Sequence, residues 1–280
     1  MNEQQEEFSR RMEKSYLKEV MIQKAFEFCK GKENAKVLDL GCGNGFMSQR
    51  LAKMGIDCTC VDLNFLGYPQ EETEHYHPIK GDMLKVIPQL MWNGKLDYDV
   101  IILSAVLHEI NHDTALSFVQ ALASASSKPT RIIIGEHLIM PSTEMLDEEL
   151  NCYFDKKFRE NYKLRTSLKE YWLAPKICEK EFLNQEIAVR RLNWAFCYAY
   201  GKESWEREKS QMRFTFSWGD ITNALAEVGI SKRQITYFLH KDPYYKEIFA
   251  NVGLGELYDI LLYTSSCLYF DYAPKNDIIK

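Results

Sequence analysis

One short stretch constrains this chain more than any other. "VLDLGCGNG" spans Val37–Gly45 and sets Gly41, Gly43 and Gly45 at two-residue spacing directly after an apolar run. A strand that breaks into a glycine loop and re-enters a helix leaves backbone N–H groups free at the helix start, where a polar ligand can dock. The next residues, "FMSQRLAKMG", read as that helix, with Gly55 at its C-terminal end.

The rest of the N-terminal half repeats the strand–helix alternation. Strand 1 is expected at 36–40, strand 2 at 57–63, strand 3 at 76–82, strand 4 at 99–106 and strand 5 at 131–138. Between them "FLGYPQEE", "MLKVIPQLM" and "TALSFVQALASAS" read as loop or helix. Such alternation implies right-handed crossovers and a parallel sheet, and the Val/Ile-rich strands 4 and 5 read as buried on both faces. Upstream, Phe8, Met12, Tyr16, Val20, Ala25 and Phe28 recur close to helical spacing, and "GKEN" stops that helix.

Regularity breaks near residue 140. Residues 141–216 are rich in aromatic and charged side chains and read as a helical insertion covering a substrate pocket, or as a packing or partner-binding element. "SWGDITNALAEVGI" reads as a capped helix with Asp220 as N-cap. "KRQITYFLH" and "LLYTSSCLYFDY" read as two closing strands that form an antiparallel edge. The expected architecture is α/β: a doubly wound, mostly parallel seven-stranded sheet with an N-terminal helix and a helical insertion after strand 5. The expected divisions are an N-terminal lid (1–30), a ligand-binding core (31–140), a cap (141–216) and a C-terminal completion of the sheet (217–280).

Net charge is −5, and no run of five or more Lys/Arg occurs, so a nucleic-acid partner has no electrostatic support from the whole chain. The eight cysteines include no C-x-x-C pair, and Cys58 and Cys60 share one face of a strand, as buried small hydrophobes do. The first residues are acidic and polar, unlike a signal or transit peptide, and no apolar run approaches membrane-spanning length. A reduced, cytoplasmic protein is expected, without nucleic-acid or membrane partners and with a homodimer left open.

Spacing discriminates among glycine loops. A phosphate-cradling loop needs G-x-x-x-x-G-K-[ST], and no Lys follows here. A dinucleotide loop needs G-x-G-x-x-G/A. Counting from Gly41 the third position is Phe46, which denies close helix–strand packing; counting from Gly43 it is Ser48. The pattern is D-x-G-x-G-x-G, from Asp39 to Gly45.

"VLDLGCGNG" resembles motif I of class I S-adenosylmethionine-dependent methyltransferases. Further landmarks fall in the family's order: Asp62 at the end of strand 2, 21 residues after Gly41; "GDM" after strand 3; and "YDVIILSAVLHEI" at strand 4. The likeness covers 36–140 well and the remainder loosely. It implies S-adenosylmethionine as cofactor and S-adenosylhomocysteine as product. It also implies a cofactor site formed by Asp39, Gly41, Cys42, Gly43 and Gly45, with Asp62 on the ribose and Leu63 beside it. Asp82 and Met83 would sit at the adenine, Ser104 and Ala105 at the methyl donor, and Tyr16 on a closing helix. The cofactor carries no phosphate, which suits a loop without Lys.

Methyl transfer from a sulfonium is an in-line displacement, so the protein must mainly align the acceptor and exclude water. A base is needed where the acceptor loses a proton, as a hydroxyl does. "SAVLHEINHD" supplies His108, Glu109 and His112 as catalytic candidates at the carboxyl edge of strand 4; Asp113 fits a helix N-cap equally. Glu136 and His137 end strand 5, near the acceptor or as a plain strand terminus. No recognised metal-ligand spacing links these residues, and no metal is expected. Most insertion aromatics, among them Tyr153, Phe154, Tyr171, Trp194 and Trp205, are expected in packing. Arg190, Arg191 and Arg207 are expected in surface ion pairs.

The leading expectation is methyl transfer to a small molecule, at oxygen more than nitrogen. The [DN]-P-P-[YF] signature of some amino-methylating families is absent, since "SAVL" stands at that place. A small-molecule N-methyltransferase, a cofactor-binding subunit without transfer activity and an NAD-dependent oxidoreductase are the alternatives, the last disfavoured by Phe46.

Overall fold

The computed structural model describes residues 15–68, 70–140, 146–178, 183–201, 204–211 and 213–274. The first half of the chain runs α1 (Tyr16–Cys29), β1 (Lys36–Leu40), α2 (Phe46–Ala52), β2 (Asp57–Asp62), β3 (Tyr76–Lys80), α3 (Met83–Leu90), β4 (Val100–Ser104), α4 (His112–Ala125) and β5 (Thr130–Glu136). Then come β6 (Leu138–Ile139), α5 (Asp147–Glu160), α6 (Tyr162–Trp172), α7 (Ile187–Ala199), α8 (Trp205–Glu208), β7 (Phe216–Ser217) and α9 (Trp218–Glu227). The chain closes with β8 (Ile235–His240), α10 (Pro243–Asn251), α11 (Gly255–Ile260) and β9 (Ser265–Tyr272). Residues 5–14 of the expected first helix lie outside the described residues.

Seven strands form one sheet in the order β3-β2-β1-β4-β5-β9-β8. Neighbours among β1 to β5 pair in parallel, while β9 is antiparallel to both β5 and β8. The order reverses beside β1, so the crevice at the carboxyl ends of β1 and β4 is the ligand position of a doubly wound sheet. Val100 and Ile102 face one apolar layer with α1 and α2; Ile101 and Leu103 face the other with α4 and the insertion helices. This two-residue alternation, apolar on both sides, is what a fully covered parallel strand requires. At the opposite edge the buried carboxylate of Asp99 holds β1 and β4 together, accepting from Lys36 N, Lys32 Nζ and Lys128 Nζ, each at 3.0 Å.

Three local expectations are corrected. The fifth strand ends at Glu136, because the Glu136 carboxylate takes the His137 N–H at 2.9 Å; Leu138–Ile139 then pair with Phe216–Ser217 in a separate ribbon. Asn111, not Asp113, caps α4, since its amide oxygen accepts from Asp113 N and Thr114 N at 3.2 and 3.4 Å. Ser217, not Asp220, caps α9: Ser217 Oγ accepts from Asp220 N at 3.0 Å and the Asp220 carboxylate returns to Ser217 N at 2.7 Å, a reciprocal capping box. Between the closing strands lie α10 and α11, and Phe249 of α10 packs edge-on against Phe196 of α7. The insertion helices therefore share one apolar core with the sheet. Among the described residues, no helix is long and apolar enough to cross a membrane.

Gly41 shows how the two central strands meet. Its φ is +68°, and a Cβ there would lie 2.7 Å from Val106 Cβ, just past the end of β4. Gly41→Ala combines a left-handed backbone with an overfilled contact, and we expect it to cost roughly 2–4 kcal/mol in urea unfolding. Unchanged stability would show that the β1 and β4 ends are not packed this closely.

Candidate active site

The glycine loop is held from behind by β2. The carbonyl of Val61 accepts from Gly41 N at 2.8 Å and Cys42 N at 3.2 Å. Gly43 and Gly45 also have positive φ, +64° and +77°, and Gly45 N bonds back to the Cys42 carbonyl at 3.1 Å. Asp62 ends β2 with three bonds to main-chain amides. One oxygen accepts from Gly43 N at 2.9 Å, the other from Asn64 N and Phe65 N at 3.1 and 3.0 Å. A carboxylate has about four lone-pair sites, so Asp62 keeps one for a further donor. Leu63 beside it is exposed, and Cys42 packs near Cys60, Phe65 and Tyr76. A Cβ at Gly45 would strike the Tyr76 hydroxyl, which closes the loop from the β3 side.

Asp39 is fully buried beneath the loop. One carboxylate oxygen accepts from Ser48 Oγ at 2.6 Å, which explains a serine where a dinucleotide loop has glycine. The other oxygen is buried and has no hydrogen-bond partner among the described residues. Burial raises the carboxyl to about 6, against the opposing Ser48 bond and the charge of Lys18.

At β4 the chain leaves the sheet through Ala105, whose φ of +53° is uncommon for a residue with a Cβ. Its amide bonds the Gly135 carbonyl at 2.7 Å, and its side chain is exposed. Ser104 is buried and its hydroxyl meets the ammonium of Lys18, which reaches over from α1. Asp82 caps α3 through Leu84 N at 3.0 Å, with half-buried Met83 next to it. The Tyr16 ring lies 4.5 Å from that of His240, tilted by 36°, at the end of β8 and three positions along the sheet from β4.

His108 lies in a 3₁₀ turn, Leu107–Glu109, immediately beyond. The ring is buried, and Nδ1 lies 2.8 Å from a carboxylate oxygen of Glu136. Glu136 is itself buried and takes the His137 amide with the same oxygen and the His108 amide with the other at 3.3 Å. Burial alone would raise the Glu136 carboxyl; the charge and hydrogen bond of His108, joined by His137, hold it well below the usual carboxylate range. The Nε2 of His108 faces Glu109 at 3.6 Å, and Glu109 is tied to the cap through Gln211. Gln211 in turn accepts from Arg213 at 3.0 Å, and Arg213 pairs at 2.6 Å with the fully buried Glu208. His137 Nδ1 donates to the Thr264 carbonyl, 2.9 Å away, inside a ring of Phe196, Phe214 and Tyr245.

His112 is not brought to this cluster. It stacks on Phe216, with Asp220 at 3.7 Å from Nε2 and Asp113 at 3.1 Å from Nδ1, and these carboxylates raise its pKa above the ordinary value. Among the aromatics, Tyr153, Phe154, Tyr171 and Trp194 are buried in the cap core, while Tyr162 is exposed. Arg191 pairs with Asp155 at 2.8 Å, and Arg207 pairs with Glu208. Sequence reasoning left out Lys18, Gln211 and Arg213. It also left the Glu136–His108 pairing unread, because only the β4–β5 adjacency joins residues 28 apart.

The profile of the family described as "Methyltransferase domain" matches residues 9–195. The chain belongs to that family. It is an S-adenosylmethionine-dependent methyltransferase, with that compound as its cofactor. Among solved structures, one similar fold is a candidate O-methyltransferase from Nostoc punctiforme PCC 73102, at TM-score 0.50 and 12% identity, covering 94% of this chain and 57% of that one. Another is a SAM-dependent methyltransferase from Archaeoglobus fulgidus, at TM-score 0.51 and 11% identity, covering 94% of this chain and 98% of that one. At such identities the likeness is one of fold. No curated protein sequence matches the methyltransferase.

The buried Asp39 yields a pH test. In the unfolded chain an aspartate ionises near pH ~4, whereas in the fold it holds its proton to about 6. As pH rises through that window the unfolded state loses its proton first, so the ligand-free protein loses stability. We expect Asp39→Asn to exceed wild type near pH ~8 by up to about 3 kcal/mol and to match it near pH ~4 in urea unfolding. A difference that did not change with pH would contradict the assignment.

Proposed function

We propose that this methyltransferase transfers its methyl group to a hydroxyl oxygen of a small molecule, with His108 as the general base. The observation that carries the reading is the buried His108–Glu136 pair at 2.8 Å, directly beyond the carboxyl end of β4. An ionised Glu136 accepts the Nδ1 proton, fixes the tautomer and leaves Nε2 to take a proton. Glu109, 3.6 Å from Nε2, stands where an acceptor hydroxyl would approach and moves aside or hydrogen-bonds it.

When bound, S-adenosylmethionine supplies a methyl group activated on a sulfonium. The residues fit it on two counts. The unpartnered oxygen of buried Asp39 suits a cationic amino group, and the remaining lone-pair site of Asp62 suits a ribose hydroxyl. In this reading Gly41, Cys42, Gly43 and Gly45 line the cofactor, Asp82 and Met83 border the adenine, and Ser104 and Ala105 flank the methyl donor. The helices of 141–216 cap the acceptor and exclude water. The partner is then a small molecule, with no role for nucleic acid and a cytoplasmic setting.

The test uses labelled S-adenosylmethionine and the acceptor found by screening small hydroxyl compounds. His108→Ala should lower kcat about 100-fold with S-adenosylhomocysteine affinity unchanged, and Glu136→Gln should lower kcat in the same direction. Turnover that survives both substitutions would remove the base from the mechanism.

A further inference from the structure

We propose that the outer face of the cap carries a second ligand site, for a small aromatic anion. Helices α5, α6 and α7 border an open surface depression of about 420 Å³, and none of its lining residues belongs to the cofactor crevice. The size is within the range of small-ligand pockets.

Its lining divides by chemistry. Phe158 and Leu168 form a buried apolar floor beside the 37% exposed Trp172, with Arg191 5.7 Å over the Phe158 ring and Arg190 5.6 Å over the Trp172 ring. Arg159, Arg165 and Lys169 stand around them with exposed side chains. Arg191 also lines the depression, but it is engaged by Asp155 at 2.8 Å, and that is the lining carboxylate. Among the described residues, none of Arg159, Arg165 and Lys169 is paired with a carboxylate. Arg165 and Lys169 are four apart on α6, so their charges meet on one face and repel in the absence of a counter-charge.

Three cations without a carboxylate partner, one of them (Arg165) over the Tyr162 ring at 5.2 Å, thus gather around a depression with an aromatic floor. The arrangement suits one occupant: a planar ring against Trp172 and Phe158, bearing a phosphate or carboxylate that the guanidinium groups can grip with two parallel bonds. The three cations lie on α5 and α6 around one depression rather than forming a line, which favours a small ligand over an acidic peptide.

The experiment titrates phenyl phosphate and benzoate into the full chain by calorimetry, with S-adenosylhomocysteine present to fill the cofactor crevice. Binding of either probe is expected, with inorganic phosphate and phenol alone binding roughly tenfold or more weakly. The Arg165→Ala/Lys169→Ala variant should lose roughly tenfold or more in affinity while its thermal unfolding is unchanged. No binding of either probe, equal affinity in the variant, or capture of a polyglutamate peptide in place of the small probes would each overturn the proposal.

Discussion

The carboxylate of Asp62 is the interaction on which the crevice depends. It joins two loops that the chain separates by about twenty residues, taking Gly43 N from one and Asn64 N and Phe65 N from the other. Buried or half-buried backbone amides need a partner. Asp62 supplies that partner at the loop's midpoint, and Val61 supplies it at the loop's start. The glycines can then keep positive φ without a side chain colliding with Val106 or Tyr76. Substitution of this one carboxylate would release both loops together, whereas loss of a single glycine disturbs one contact.

A second constraint lies at the neighbouring strand ends. A buried carboxylate is costly unless several donors reach it. Glu136 meets that demand with the His108 ring and the amides of His108 and His137. The same bonds that make Glu136 tolerable in the interior fix the orientation of His108. The chain Glu109–Gln211–Arg213–Glu208 then links the turn carrying His108 to the cap. Any shift of the cap is felt within one hydrogen bond of the imidazole.

Much of the framework was legible in the sequence because it is local. The glycine spacing, the Val/Ile runs and the antiparallel closing strands each follow from a few neighbouring residues, and the seven-stranded sheet accords with them. What stayed hidden depends on pairs distant in sequence. His108 meets Glu136 only because β4 and β5 are neighbours, and Lys18 meets Ser104 across 86 residues. His112 looked like part of the site by adjacency, yet its ring faces Asp220 on α9. The caps at Asn111 and Ser217 were missed because several candidate oxygens lie within three residues, and only geometry chooses among them. Helices α10 and α11 are short, and the aromatics between the closing strands gave no clear period.

The most direct measurement is a crystal structure of the complex with S-adenosylhomocysteine. The account predicts the ligand in the crevice at the carboxyl ends of β1 and β4, with its ribose hydroxyls on Asp62 and its amino group beside Asp39. A ligand bound elsewhere, or ribose hydroxyls that leave Asp62 untouched, would contradict it.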